Sequence, residues 1–180
     1  LLSFADSEGM SVVPYGNGNL VALGNSPESL DIIVCTTGLK QSIDHRPGDL
    51  TATVGAGVSF GALQKYLTKT EQWLPLEAPL GFHRTIGSVL AIDQSTPLTL
   101  SQGTARDLVI GMRVASPDGE ITKSGGRVVK NVTGFDIAKL HIGALGTLGV
   151  ILEASFKVWP IPKKDVTLVA TYISLDEAIQ

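Results

Sequence analysis

The sequence predicts a domain of mixed strands and helices, followed by the beginning of a second unit. Three observations carry this reading. Short apolar or alternating runs recur at SVVP (11–14), DIIVC (31–35), TATVG (51–55) and 150–158, each set off by turn-forming residues. Residues 58–67 instead place Phe60, Leu63 and Leu67 on one face of a helix. The double-proline segment Trp159-Pro160-Ile161-Pro162 then interrupts the pattern and marks the best domain boundary in the chain.

Taken in order, residues 1–9 (LLSFADSEG) read as the last turns of a helix stopped by Gly9. The strand SVVP leads into the loop Tyr15-Gly16-Asn17-Gly18-Asn19. Asparagine tolerates left-handed backbone better than other non-glycine residues, so all four positions from Gly16 to Asn19 suit a nest of N–H groups. Such a loop can hold an anion or form a plain turn. The unbroken apolar run DIIVC predicts a strand covered on both faces, with Cys35 as a small buried hydrophobe. Pro47-Gly48-Asp49 marks a turn, and TATVG is the next strand. The following Gly55-Ala56-Gly57-Val58-Ser59-Phe60-Gly61 opens like a dinucleotide-binding glycine loop. Its third glycine falls one position late and no parallel strand–helix–strand unit follows, which favours a tight corner that starts the helix.

Residues 73–92 (WLPLEAPLGFHRTIGSVLAI) form a second irregular segment with the character of a ligand site. Pro75 and Pro79 keep it extended. Thr85-Ile86-Gly87-Ser88 opens a short helix, whose N–H groups are either free to attract phosphate oxygens or consumed by ordinary capping. Residues 95–102 are polar and aperiodic, predicting an exposed loop. Strands at 108–115 and 120–123 are joined by the hairpin turn Ser116-Pro117-Asp118-Gly119. Beyond Pro162, VTLVATYI (166–173) reads as a strand, and Ser174-Leu175-Asp176-Glu177 as a capping box that opens a helix. The expected division is therefore 1–160 for the first domain and 161–180 for the start of another.

Bulk properties narrow the function. A chain of 180 residues buries roughly 70% of its unfolded surface and needs no disulfide or metal staple. The net charge of −3 is made of interspersed charges with no basic stripe, which argues against nucleic acid as a partner. The single cysteine forms no internal disulfide and points to a reducing compartment. No apolar run approaches the ~20 residues of a membrane span and no signal peptide is visible, so a cytoplasmic location is expected. The chain starts at Leu1 without a methionine, and an upstream segment is expected. No Cys/His cluster has metal-ligand spacing and no Walker-type phosphate loop is present. Cys35, His45, His83 and His141 are scattered and show no nucleophile signature.

The densest glycine usage falls at 125–151, GGRVVKNVTGFDIAKLHIGALGTLGVI. Glycine loses more backbone entropy on folding than any other residue, so this density needs positive φ angles or a close backbone approach to explain it. A ligand-holding loop and a tightly packed turn both satisfy that requirement.

These segments together resemble one family. The likeness is carried by PYGNGN (14–19), VGAGVSFGALQKYL (54–67), QWLPLEAPLGFHRTIGSVLA (72–91), GTARDLVIGMRVASPDGEITKSGGRVVKNVTGFDIAKL (103–140) and IGALGTLGVILEASFKVWPIP (142–162). It is to the FAD-binding domain of the vanillyl-alcohol oxidase/PCMH superfamily, and within it to the FAD-binding subunits of bacterial glycolate oxidases. KNVTGFD followed by GTLGVI is the most specific combination.

The resemblance implies an α+β fold of two subdomains with FAD between them, then the start of a truncated substrate domain. It also implies that a strand and helix precede residue 1. It assigns the pyrophosphate to Tyr15, Gly16, Asn17, Gly18 and Asn19. Pro79, Thr85, Ile86, Gly87, Ser88 and Ala91 become a second wall, and Gly149, Val150 and Ile151 lie near the ribityl chain and flavin ring. Asn17 and Ser88 stand where glycine is common in the family, and both are small enough to keep the site. Covalent attachment uses a histidine or cysteine in these loops. The first loop has neither, and His83 in the second reads as a solvated or core histidine, so FAD is expected to be non-covalent. The implied activity is oxidation of a small 2-hydroxy acid such as glycolate, with electrons passed to partner subunits (a second flavoprotein and an iron–sulfur subunit) that can hold the protein at a membrane without a span of its own. A subunit that only carries FAD is the alternative, and a nicotinamide-using reductase is a weaker one. Arg106, Arg113, Lys130 and His141 are candidates to touch an acid substrate, with none of them assigned as catalytic.

Overall fold

The computed structural model describes residues 1–40, 43–79, 81–126 and 136–179. Helix α1 (Leu2–Ser7) stops as expected, and Gly9 supplies the left-handed residue at φ +64°. Strands β1 (Val12–Tyr15) and β2 (Ile32–Cys35) pair in parallel as a two-stranded ribbon. Asp31 locks their start: its carboxylate accepts the Ser11 N–H at 2.8 Å and the Ser11 hydroxyl at 2.7 Å. These two bonds lower the Asp31 pKa from the ordinary carboxylate value.

The expectation that β2 is covered on both faces is wrong. Ile32 and Val34 are half-buried, but Ile33 is 56% exposed and Cys35 is open to solvent. A ribbon of two strands has one face to pack, and nothing among the described residues covers the other. The Cys35 thiol is accordingly no core hydrophobe. It lies 3.0 Å from Thr37 Oγ1, and that hydrogen bond lowers its pKa.

The main sheet follows. β3 (Asp44–Arg46) runs through a single 3₁₀ turn, Pro47–Asp49, into β4 (Thr51–Gly55). Helix α2 (Phe60–Leu67) is capped by Ser59, whose Oγ accepts the Ala62 N–H at 3.2 Å. Its Phe60, Leu63 and Leu67 are fully buried, each contributing on the order of 2 kcal/mol. After β5 (Gln72–Trp73) come three short helices, α3 (Ile86–Ile92), α4 (Thr99–Gln102) and α5 (Ala105–Leu108). The hairpin β6 (Val109–Ala115) and β7 (Ile121–Gly125) turns at Ser116–Gly119, with Gly119 at φ +88°. Then follow α6 (Ile137–His141), β8 (Val150–Lys157), β9 (Trp159–Pro160) and α7 (Leu175–Ile179).

Five strands form an antiparallel sheet in the order β3-β4-β8-β6-β7. Its centre joins β8 to residues about a hundred positions away, and the Thr53 and Ser155 hydroxyls meet there at 2.7 Å in a buried cross-strand pair. Val54, Ala154 and Phe156 share one core with Phe60, Leu63, Ile86 and Leu90, so α2 and α3 pack against this sheet. Because β4 is antiparallel to both neighbours, the Gly55–Gly61 corner belongs to no parallel Rossmann unit. A Cβ on Gly57 would collide with the Thr36 carbonyl, so the corner is glycine for packing reasons.

Two further expectations fail. Residues 99–102 are the short helix α4, not loop. Residues 166–173 form no strand: Leu168 is 91% and Ile173 96% exposed. A strand is stable only as part of a ladder, and no described residue offers one there. The capping signal beyond it does form α7, where the Glu177 N–H donates to Ser174 Oγ at 3.3 Å.

Candidate functional site

Three segments distant in sequence meet around one hollow of about 230 Å³. They are the loop after β1, one face of α3 with its cap Thr85, and the loop that enters β8. Hydrogen bonds tie them together. Asn17 Nδ2 donates to the His83 carbonyl at 2.6 Å, joining the first wall to the second. The Gly143 N–H donates to Leu90 O at 3.0 Å and the Leu145 N–H to Ala91 O at 2.8 Å, so the end of α3 holds the third.

Of the sequence-predicted residues, Tyr15, Gly16, Asn17, Gly18, Asn19, Thr85, Gly87, Ser88, Ala91, Gly149, Val150 and Ile151 line this hollow. Ile86 is turned into the core at 1% exposure, and Pro79 is not on the lining. The lining also includes Val13, Pro14, Leu20, Val21, Thr36 and Leu145, which sequence reasoning did not single out. The alternation of β1 could have pointed to Val13, but Thr36 and Leu145 arrive through tertiary packing alone. A second hollow of about 240 Å³ abuts the first through Pro14, Gly146, Gly149 and Val150.

The first loop carries the bare donors. The N–H groups of Asn17, Gly18 and Asn19 have no acceptor among the described residues. Only Gly18 is left-handed, at φ +73°, so the broader nest expected over four residues is not formed. Asn17 is instead committed through its side chain to the His83 carbonyl.

At α3 the capped-helix reading holds and the free-donor reading does not. The Ile86 N–H donates to Val58 O, the Gly87 N–H to Ala56 O (both 2.9 Å), and the Ser88 N–H to Thr85 Oγ1 at 3.3 Å. The N–H groups of Ile86, Gly87 and Ser88 are therefore not free for a phosphate. Docking the helix against the Gly55–Val58 corner consumes the first two, and the Thr85 cap the third.

Ahead of α3 sits Arg84, 1% exposed. Its Nη1 donates to Pro79 O at 3.1 Å and its Nη2 to Ser88 O at 2.9 Å. Burial lowers its pKa from the usual guanidinium value.

Tyr15 is the one ionisable side chain among the described residues of the lining. The candidate cations among the described residues are engaged or placed elsewhere. Arg106 pairs with Asp93 at 3.8 Å and donates to Ile142 O at 3.0 Å. Arg113 lies within β6 opposite Lys123 and Glu153. His141 is buried, which lowers its pKa. Lys130, with most of the KNVTGFD motif, lies outside the described residues. His83 is exposed, next to the first loop.

The hollow therefore offers uncharged, closely approached backbone with free N–H groups and an apolar remainder. That donor set fits a pyrophosphate bearing flat rings. Sequence comparison agrees. The chain is 33% identical over 178 residues to glycolate oxidase subunit GlcE of Escherichia coli (strain K12), covering 97% of this chain and 49% of that protein. It is 29% identical to glycolate oxidase subunit GlcD of Bacillus subtilis (strain 168), over 100% of this chain and 38% of that protein. It is also 29% identical to the mitochondrial D-lactate dehydrogenase [cytochrome] of Arabidopsis thaliana, over 93% of this chain and 29% of that protein. The chain thus spans less than half the length of these relatives. Two solved structures of alkyldihydroxyacetonephosphate synthase share the fold, with TM-scores of 0.72 and 0.73 at 22% and 23% identity. Each match covers 91% of this chain, and 30% and 32% of the synthase chains. A family model described as an FAD binding domain matches residues 1–125, so the chain belongs to that family, of the PCMH type, and FAD is its cofactor.

Proposed function

We propose that this chain is the FAD-binding part of a flavin-dependent oxidase or dehydrogenase of small 2-hydroxy acids, glycolate first among them, which passes electrons to partner subunits. The observation that carries this is the meeting of the three family segments around one hollow, in a chain similar to two glycolate oxidase subunits. In this reading residues 1–160 form the FAD domain and 161–180 begin the substrate domain. The partners are a second flavoprotein and an iron–sulfur subunit, and the location is cytoplasmic, peripheral to a membrane through those subunits.

The free N–H groups of Asn17, Gly18 and Asn19 would hold the pyrophosphate, on a loop whose Gly16 and Gly18 leave room for the Thr85 and Tyr15 side chains packed against it. Because the α3 N–H groups are consumed internally, the second wall contributes shape through Thr85, Gly87, Ser88 and Ala91, not anion binding. Pro79 supports that wall from behind, and Gly149–Ile151 supply backbone beside the ring system. When bound, FAD supplies the hydride-accepting atom, and the protein's task is binding and orientation.

A second reading is favoured by the absence of an acid or base other than Tyr15 on the described lining: a subunit that carries FAD while other chains hold the substrate. The test begins with the visible spectrum of the purified chain, then acid precipitation. Flavin bands recovered in the supernatant as FAD support the pocket and its non-covalent character. Bleaching by glycolate or D-lactate without partners favours the oxidase reading. Bound FAD that no hydroxy acid reduces favours the carrier, and a chain that takes up no FAD at all refutes both.

A further inference from the structure

Behind the second wall lies a polar cluster that the pocket reading leaves unused. Arg84 is 1% exposed, and among the described residues no carboxylate pairs with it. Burying a guanidinium without a counter-anion is costly unless its donors are satisfied. Two are, by the carbonyls of Pro79 and Ser88 at 3.1 and 2.9 Å. Its Nε has no partner, and neither has the buried Thr96 Oγ1. Both residues line a hollow of about 10 Å³, close to the room one water molecule needs. Glu77 and Asp93 on the same lining, neither of them paired with Arg84, disfavour an anion there.

We propose that Arg84 is a positioning residue of the flavin pocket: its guanidinium clamps the Pro79 and Ser88 carbonyls, and one buried water shared with Thr96 completes the clamp. The inference rests on the reading that the 79–91 segment forms a wall of the FAD site. Ser88 lines that site while its carbonyl points back to Arg84, so the planar fork sets how the wall stands relative to the extended chain at Pro79. Lysine keeps the charge but cannot reproduce two donors in a fixed fork.

The test is FAD titration of the purified chain, followed by flavin fluorescence, with far-UV circular dichroism of each variant. Arg84→Lys should keep the far-UV spectrum and raise the FAD Kd by about tenfold or more. Arg84→Ala should weaken FAD similarly, and millimolar methylguanidinium should restore affinity by refilling the clamp. Thr96→Val should raise the Kd by about threefold through loss of the water's anchor, and an unchanged Kd removes the water from the clamp. Ser88→Trp, which fills the site, separates the two levels. If it leaves FAD affinity intact, or if the unmodified chain binds no FAD, the pocket reading fails and Arg84 with it. If Ser88→Trp abolishes binding while Arg84→Lys stays within about twofold of the original Kd, the clamp alone is overturned. An Arg84→Lys chain that loses its secondary structure makes Arg84 a general folding residue and overturns the positioning role.

Discussion

The contact between Gly16 and Thr85 decides whether the first and second walls are held at a fixed separation, and it can be tested without flavin. A Cβ built on Gly16 lies 2.5 Å from Thr85 Oγ1, about an ångström inside ordinary contact. Thr85 cannot simply turn away. It is 1% exposed and its Oγ1 caps α3 by accepting the Ser88 N–H at 3.3 Å. Relieving the collision therefore sacrifices a cap worth about 1 kcal/mol. Gly16 is not among the left-handed residues, so alanine is otherwise compatible there and gains about 0.5 kcal/mol through the unfolded chain. With some residual strain, Gly16→Ala should cost a net of about 1 kcal/mol, a fall in Tm of roughly 2–4 °C for a chain this size. Thr85→Ala alone should cost about 1–2 kcal/mol. In the Thr85→Ala background the nearest colliding atoms are gone, so adding Gly16→Ala should be neutral or stabilise by about 0.5 kcal/mol. The assay is urea denaturation of the four FAD-free proteins in a double-mutant cycle, with an expected coupling of about 1–1.5 kcal/mol. Effects that add within about 0.5 kcal/mol would refute the contact as drawn.

Other perturbations address the cofactor and the pH response. Gly18→Val places a β-branched residue at φ +73° with its Cβ against the Tyr15 hydroxyl, and should abolish FAD retention; a folded variant that keeps full flavin sinks the loop assignment. His83→Ala should leave the flavin bound and acid-extractable, since only the His83 main-chain carbonyl is used, by Asn17. A covalent adduct that vanishes in this variant would contradict non-covalent binding. Burial lowers the His141 pKa, so the unfolded chain binds that proton more readily. Its contribution to stability is complete above the unfolded value of about 6.5 and is lost as pH falls through that value towards the folded one, then levels. Urea midpoints between pH 7.5 and 5 should show this step in the original chain and lose it in His141→Gln. The lowered pKa values of Asp31 and Asp107 give losses only at lower pH, below about 4, and do not overlap it.

Local signals were legible wherever the chain's own chemistry decides. Phe60, Leu63 and Leu67 gave α2, Ser116–Gly119 gave the β6–β7 turn, and Ser174 with Glu177 gave the α7 cap. What failed depended on neighbours. DIIVC has the apolar content of a central strand, yet burial is set by what packs on each face, and β2 sits in a ribbon of two. VTLVATYI has strand character without a ladder to join. The N–H groups of Ile86 and Gly87 looked available because nothing in TIGS shows that the Gly55–Val58 corner, some thirty residues earlier, takes them. Arg84 was overlooked for the same reason: a lone arginine in sequence gives no hint of two carbonyl partners and complete burial.

Glycine content, the most conspicuous feature of the chain, turns out to be weak evidence for a ligand. Gly125, Gly143, Gly146 and Gly149 all have positive φ, and a Cβ on Gly149 would lie 2.6 Å from the Ala115 carbonyl. Gly16 is required by Thr85, and Gly18 by its own φ and by Tyr15. Packing alone therefore explains each of these glycines, and a tight turn with no ligand would need them just as much. The backbone donors of Asn17, Gly18 and Asn19 are different. They belong to residues that line a hollow, and they have no acceptor among the described residues. In the proposed reading a pyrophosphate takes these three groups, which predicts where flavin affinity should be most sensitive: to the donors at 17–19, and to the glycines only as far as they hold those donors in place.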